Sequence, residues 1–237
     1  DPRMVPLMDK VLVKQHVAKT IGDEWVTPTW FAGPELPPRE QRIWAAPYLI
    51  KSTHGSGQFE LVSDAEPDWN RLGRLCASWC NETRWPYSKW PYTEMSRGII
   101  VEPFVGENGA PPPDFKFFVF DGRTRAIQAD VDRWGEHRVS YFDRDWNLLN
   151  ITRRYPSAGR LEPPASLNAM ITAAEKLGDG FDFVRVDLYE TRNGPRFGEM
   201  TFFPGSGYKP YEPLHEELKL GSYWQLDGSS PQPAAQK

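Results

Sequence analysis

Apolar residues recur at helical spacing through LMDKVLVKQHVAKTIG, with Leu7, Val11, Val17, Ala18 and Ile21 in phase and Gly22 closing the run. The spacing predicts one helix that carries Asp9 and Lys10. WVTPTWF predicts a short strand and AGPELPPREQRIW a connection. APYLIK and QFELVS predict two strands of a hairpin, with STHGSG as the turn between them. DWNRLGRLCASWCNET predicts a helix with Asp68 near its start, and RWPYSKWPYTEMSRG an aromatic, proline-rich ordered loop.

The second half begins with GIIVEPFVG, a strand that leads into ENGAPPP, read as an interdomain hinge and loop. DFKFFVFDG and RTRAIQADVD predict a hairpin joined by Asp121-Gly122, and HRVSYFD a third strand. PASLNAMITAAEKLG predicts an amphipathic helix ended by Gly178. FDFVRVDLYET and PRFGEMTFF predict a hairpin across Arg192-Asn193-Gly194, and GSSPQPAAQK a low-complexity, mobile tail. Hairpin-linked strand pairs separated by helices predict an α+β fold, not a doubly wound parallel sheet.

Composition narrows the partners. The 28 basic and 32 acidic residues leave a net charge of -4 with no basic block, which disfavours nucleic acid or an anionic membrane surface. No apolar run reaches the roughly 18–20 residues a bilayer span needs, so no transmembrane segment is expected. The opening DPRM lacks the charged start and apolar stretch of a signal peptide. Cys76 and Cys80, one helical turn apart, suit neither a disulfide framework nor a zinc site. They read as reduced thiols in a cytoplasmic protein. The 10 tryptophans and 23 prolines suggest long loops and large aromatic packing elements.

Candidate chemistry lies in three places. In KSTHGSG the lysine precedes the glycines and a strand follows them, the reverse of a Walker A loop. The segment is therefore either a plain turn with a solvated Lys51, or a hairpin lid whose Gly55–Gly57 amides cover phosphates. His54 reads as a loop residue. Along a strand, residues i and i+2 share a face. Arg185 and Asp187 of RVDL thus face together, as do Glu199 and Thr201 of GEMT, and the hairpin brings the two pairs side by side. Two carboxylates and a hydroxyl suit Mg2+, although a solvated Arg–Asp–Glu cluster has the same pattern. Asp114 and Lys116 of DFK share a face in the same way, and Glu102 ends an apolar strand where it could meet an adenine amino group or ribose hydroxyls.

The order of these signals is more specific than any one of them. It runs DK, a strand-end lysine with a glycine hairpin, EPFV, D-x-K, then RVDL and GEMTFFPGSG. This order resembles the ATP-grasp superfamily, and within it the TupA-like branch associated with cell-surface polysaccharides, from about Met8 to Gly221. The resemblance implies two α+β lobes with ATP held between their antiparallel sheets. The implied division is an N-terminal helix region over 1–23, a lid lobe over 24–104, a metal- and nucleotide-binding lobe over 105–225, and a flexible tail over 226–237. By the resemblance, Lys10 and Lys51 contact ATP phosphates, Ser56 and Gly57 belong to the lid, and Glu102, Phe104 and Val105 line the adenine-binding hinge. Asp114 and Lys116 form a ribose-side or phosphate-side pair, with Lys116 and Arg185 as the catalytic groups. Asp187 and Glu199 match the Mg2+ carboxylates, and Thr201 stands where many relatives place Asn, which leaves the number of metals open.

The activity implied is an ATP-dependent carboxylate–amine ligase working through an acyl phosphate, with Arg185 steadying that intermediate. The family analogy suggests a uronic acid of a surface glycan as carboxylate and an amino acid or amine as its partner. A separate N-terminal substrate domain is not expected, so the acceptor would be held by the lobes, by the aromatic loop 85–92 or by a partner. Two alternatives stand beside this reading. A sugar or small-molecule kinase would use the same ATP and metal groups without needing Arg185, and a glycosyltransferase would leave the two lysines unexplained.

Overall fold

The computed structural model describes residues 1–82 and 91–225. The chain divides into two compact units, Asp1–Pro112 and Pro113–Lys237, the division falling inside the proline run of ENGAPPP. Most of the aromatic loop 85–92 and all of the tail 226–237 lie outside the described residues.

The first unit opens with two helices where the periodicity predicts one: α1, Met4–Met8, and α2, Leu12–Ile21. Asp9 causes the break. Its backbone is extended (ψ 126°) and its Oδ1 accepts from the amides of Val11 (2.8 Å) and Leu12 (3.0 Å). A short acidic side chain that satisfies the first free amides of a helix starts a new one. Lys10 consequently sits at the junction and not on a helix face. α2 buries Val13 and Val17 and stops at Gly22, whose φ of 115° favours glycine.

A four-stranded antiparallel sheet follows, in the order β1-β4-β2-β3, from β1 (Phe31–Gly33), β2 (Tyr48–Ser52), β3 (Phe59–Val62) and β4 (Ile99–Pro103). The expected first strand moves along the chain, because Asp23–Trp25 forms a 3-10 turn that buries Trp25 and pairing starts only at Phe31. Helix α3, Trp69–Asn81, starts where Asp68 accepts from the Arg71 amide at 2.9 Å. It lays Leu72, Cys76 and Trp79, spaced for one helical face, on Tyr48, Ile50, Ile99 and Val101. Truncating the fully buried Leu72 to Ala would cost about 2–5 kcal/mol. A short helix, α4 (Pro91–Glu94), precedes β4.

The second unit is built on a six-stranded sheet in the order β10-β9-β5-β6-β7-β8. Its strands are β5 (Asp114–Phe120), β6 (Arg123–Val131), β7 (Arg138–Phe142), β8 (Leu148–Leu149), β9 (Phe183–Tyr189) and β10 (Arg196–Thr201). β5 and β6 turn through Asp121 (φ 46°) and Gly122 (φ 67°), the positive pair a two-residue hairpin requires. Helix α5, Leu167–Gly178, packs Met170, Ile171, Ala174 and Leu177 inward. It lies so close that a Cβ on Gly178 would meet Val119 Cγ1 at 2.6 Å. That covers the face of Val119, Val184 and Val186 and leaves Asp114, Lys116, Arg185 and Asp187 on the other. Every residue of β5 is nevertheless buried, so the polar face is also covered. Helix α6, Leu214–Ser222, completes the unit. The architecture is α+β, with antiparallel sheets. Among the described residues no helix is long and apolar enough to cross a membrane.

Candidate functional site

In the first unit the hydrophobic positions of β2 and β4 fix where their polar residues emerge. Lys51 and Glu102 lie on adjacent strands, diagonal in register, and Lys51 Nζ donates to Glu102 Oε2 at 2.6 Å. Lys14, one turn into α2, ion-pairs with the other oxygen of the same carboxylate. It is tethered further by bonds to Thr27 O (2.6 Å) and Thr29 Oγ1 (2.7 Å). Burial drives the pKa of Glu102 upward, but Lys51 and Lys14 outweigh that effect and hold it below its ordinary value. In Lys14 burial wins over the pull of Glu102 and lowers the pKa. The Glu102 carboxylate is thus engaged by two cations in this structure, so contacts to an adenine or ribose would have to compete with them.

The glycine hairpin is narrower than its sequence suggests. Gly55 is buried, its amide bonded to Ser52 Oγ at 2.9 Å and its carbonyl accepting from Lys10 Nζ at 2.5 Å. The Lys10 amide in turn donates to Thr53 O at 3.0 Å. Of the three amides Gly55–Gly57 that a phosphate lid would use, that of Gly55 is thus already committed, while Ser56 and Gly57 are exposed, Gly57 with a φ of 73°. His54 is a loop residue but fully buried, its Nε2 lying 3.3 Å from Trp79 O. Phe104 and Val105 follow β4 half-buried, with the Phe104 amide bonded to Pro47 O at 3.2 Å.

In the second unit β9 and β10 pair Asp187 opposite Glu199 and Arg185 opposite Thr201, with a bulge at Gly198 setting the register. Arg185 ties the four together. Its Nε donates to Asp187 Oδ1 at 2.6 Å, and its Nη2 donates to Asp187 Oδ2 (2.7 Å), Glu199 Oε1 (3.0 Å) and Thr201 Oγ1 (3.1 Å). From β5, Lys116 reaches Asp114 at 2.5 Å and Asp187 at 3.2 Å, with Asp130 of β6 at 3.6 Å. Arg133 also bonds Asp114, and His137 Nε2 lies 2.6 Å from Asp130 Oδ1. Burial pushes Asp187 up, but Arg185 and then Lys116 outweigh it and keep the carboxyl below its usual value. Asp114 moves the other way, raised by burial and by Asp187 against the pull of Lys116 and Arg133.

The donors here fit a hard divalent cation. Asp187, Glu199 and Thr201 offer oxygen only, and the buried Asp114 Oδ1 has no hydrogen-bond partner among the described residues. The fit depends on phosphate and water filling the shell, since no three of His, Cys, Asp and Glu among the described residues converge on a metal position. Arg185 now holds both carboxylates and would have to yield part of that contact. Asp187 is fixed, its side chain 4% exposed, whereas that of Glu199 is 45% exposed and held through one oxygen by Arg185 and Thr201.

Sequence reasoning missed Lys14, Asp130, Arg133 and His137. Lys14 follows Lys10 by one turn of the expected helix, so the two could have been weighed together. Asp130 was also within reach, because the Asp121-Gly122 hairpin register brings it to the face of Lys116. Arg133 and His137 lie beyond the end of β6, where no periodicity places a side chain.

Solved structures define the class of this architecture. The D-alanine–D-alanine ligase of Bacillus anthracis superposes with a TM-score of 0.51 at 16% identity, over 92% of this chain and 65% of its own. The L-amino acid ligase of Bacillus licheniformis gives 0.53 at 16% identity, over 85% and 44% respectively. The ATP-grasp ligase PsnB, complexed with a phosphomimetic variant of its minimal precursor, Mg and ADP, gives 0.51 at 11% identity, over 94% and 61%. The chain therefore spans between 44% and 65% of the length of these structures. At such identities the likeness shows the fold, which is ATP-grasp. The sequence itself carries the family: the TupA-like ATP-grasp model matches residues 1–225, and the chain belongs to that family. Among curated proteins none matches it in sequence.

Proposed function

We propose that the chain is an ATP-dependent carboxylate–amine ligase that forms an amide through an acyl phosphate. The observation that carries this reading is the register of β9 and β10. It sets one arginine beside two carboxylates and a hydroxyl, with Lys116 beside them. An arginine that contacts the metal-ligand pair is placed for charge on a transferring phosphoryl group, which a kinase acting on a hydroxyl also develops. The added need of a ligase is to hold the acyl phosphate until an amine arrives, and Arg185 together with Lys116 supplies two fixed cations for that.

In the first step a substrate carboxylate oxygen attacks the γ-phosphorus of ATP, the bond to the bridging oxygen breaks, and ADP leaves. In the second the amine nitrogen attacks the acyl carbon, the C–O bond to phosphate breaks, and the amine gives up a proton. No protein nucleophile is needed. Lys51, Lys10 and Lys14 supply positive charge for the nucleotide phosphates, Glu102 orients Lys51 and Lys14, and the exposed Ser56–Gly57 turn offers its amides to a phosphate. Bound Mg2+, held by Asp187, Glu199 and Thr201, would neutralise phosphate charge. Asp114 aligns Lys116, and Phe104 and Val105 offer backbone to the adenine. As carboxylate we propose a uronic acid of a surface polysaccharide or its precursor, which rests on the family, and as setting the cytoplasm, where ATP is supplied.

The test is ADP release from Mg-ATP across panels of uronic acids and amines, with mass analysis of products. The reading requires ADP formation that depends on both partners and an amide product. A stable phosphate ester formed on an acceptor hydroxyl without any amine would replace it with a kinase.

A further inference from the structure

Arg153 is a half-buried arginine that the proposed mechanism leaves idle. It follows β8, where Thr152 and Glu212 exchange backbone bonds of 2.8 and 2.9 Å and so hold Arg153 beside Tyr211. The guanidinium carbon lies 4.5 Å from the centre of the Tyr211 ring. Its three hydrogen bonds all go to neutral oxygens: Tyr211 Oη (3.3 Å), Lys209 O (3.0 Å) and Pro204 O (3.5 Å). Its Nε is buried without an acceptor. Arg185, Arg133 and Arg144 are each matched to a carboxylate. Arg153 has none among the described residues; Arg125, stacked on Tyr223, shares that lack, but only Arg153 of the two bonds the turn that follows β10.

The position of this unmatched charge is specific. Pro204–Gly207 is the turn that follows β10 after Phe202 and Phe203, and it passes through left-handed Gly205, Ser206 and Gly207. A Cβ at Gly205 would lie 2.3 Å from Arg153 Nη2, so the turn is shaped around the guanidinium. Tyr211 packs edge-on against Phe118 at 6.2 Å, and Phe118 is the cross-strand neighbour of Arg185 on the polar face. Arg153 therefore borders the face that carries Arg185 and Thr201, separated from it by one aromatic ring and one glycine turn.

A partly desolvated cation without a counter-charge is unfavourable by itself and gains most from an anion delivered by a ligand. A guanidinium with spare N–H groups takes a carboxylate in preference to a neutral group. We propose that Arg153, with Tyr211 and the Pro204–Gly207 turn, binds a carboxylate on the amine substrate that is not itself activated. The acceptor is thus an amino acid and not a simple amine. The inference rests on the ligase reading for its kinetic test and is independent of it for binding.

The experiment compares L-serine with ethanolamine, L-alanine with ethylamine and L-lysine with 1,5-diaminopentane, in wild type, Arg153→Gln and Arg153→Lys. Two readouts are taken on the full chain: ADP release with amide formation, and calorimetric binding of each amine. The expected result is a wild-type preference for the carboxylate-bearing member of one pair. Arg153→Gln should remove it by raising KM about tenfold or more while kcat moves less, as loss of one charge-assisted contact implies. Arg153→Lys should restore part of the preference. If no pair yields ADP with any uronic acid of the panel but Arg153 variants lose amino acid binding, the ligase reading fails and this subsite stands. A wild type that treats both members alike, or an Arg153→Gln protein that weakens both equally with a lowered melting temperature, makes Arg153 a clamp for the turn and overturns the proposal.

Discussion

Lys51 and Lys14 close on opposite oxygens of one buried carboxylate, Glu102, from a strand and a helix that the chain reaches far apart in sequence. Breaking a buried pair by removing one partner is more costly than never having built it. Glu102→Gln should therefore destabilise the protein by about 2–4 kcal/mol, read as a shift in the urea midpoint, and raise KM for ATP by freeing both lysines. Lys51→Ala leaves Lys14 on Glu102, so its stability loss should be smaller, about 1–2 kcal/mol, with KM for ATP again raised. Unchanged KM for ATP in Lys51→Ala would return KSTHGSG to a simple turn.

The same carboxylate gives a pH signature. Glu102 faces Lys51 from β2 and Lys14 from α2, and its folded pKa lies below the unfolded value of about 4.3. The unfolded chain binds the proton first, so the stability from this site is fully present above the unfolded pKa and is lost as pH falls through the folded one. Urea midpoints measured from pH 6 to pH 3 should fall more steeply for wild type than for Glu102→Gln.

Asp187 and Glu199 should part company on mutation. Asp187 is buried against Arg185 and Lys116, so Asp187→Asn should cost both activity and about 3–5 kcal/mol of stability. Glu199 is half exposed, and Glu199→Gln should keep the melting temperature nearly unchanged, within about 1 kcal/mol, while turnover falls by 100-fold or more. A Glu199→Gln protein as active as wild type would remove Glu199 from the metal site.

The two glycines flanking Ser56 should also differ. A Cβ on Gly57 meets nothing within 4 Å, so Gly57→Ala costs only the left-handed backbone, about 1–2 kcal/mol. On Gly55 a Cβ would come within 2.4 Å of Ser52 Oγ, the acceptor of its own amide. Gly55→Ala should be the more destabilising and should also disturb Lys10, which bonds the Gly55 carbonyl. Thermal melts and KM for ATP of the two variants check this order.

Cys76 should resist modification. Burial first, and the neighbouring Cys80 second, push its thiol up to about 12, so little thiolate exists at neutral pH. Iodoacetamide at pH 8 should leave Cys76 unlabelled in the folded protein and label it in urea.

Much of this was legible because strand alternation is a strict period. RVDL and GEMT need only a hairpin to bring Arg185, Asp187, Glu199 and Thr201 together, and the Asn193-Gly194 turn signals one. Asp68 and Asp121-Gly122 were likewise local signals with local consequences. The split of the first helix was not legible, because Asp9 tolerates a helix by spacing and breaks it only through its own cap. Nor was the burial of Gly55, which depends on Ser52 and Lys10 arriving from either side. The pairing of Lys14 with Glu102 depends on where α2 meets β4, and the stacking of Arg153 on Tyr211 on loop geometry, neither of which periodicity encodes.

The break at Asp9 separates two jobs that a single helix would have combined. Lys10 takes its place from the Asp9 cap and the Thr53 carbonyl, while Lys14 takes its place from the first turn of α2. The remaining length and outer face of α2 can therefore vary without moving either ammonium group, so long as the cap and that first turn persist. A protein with this junction can change what α2 packs against and keep the same charges at the same place.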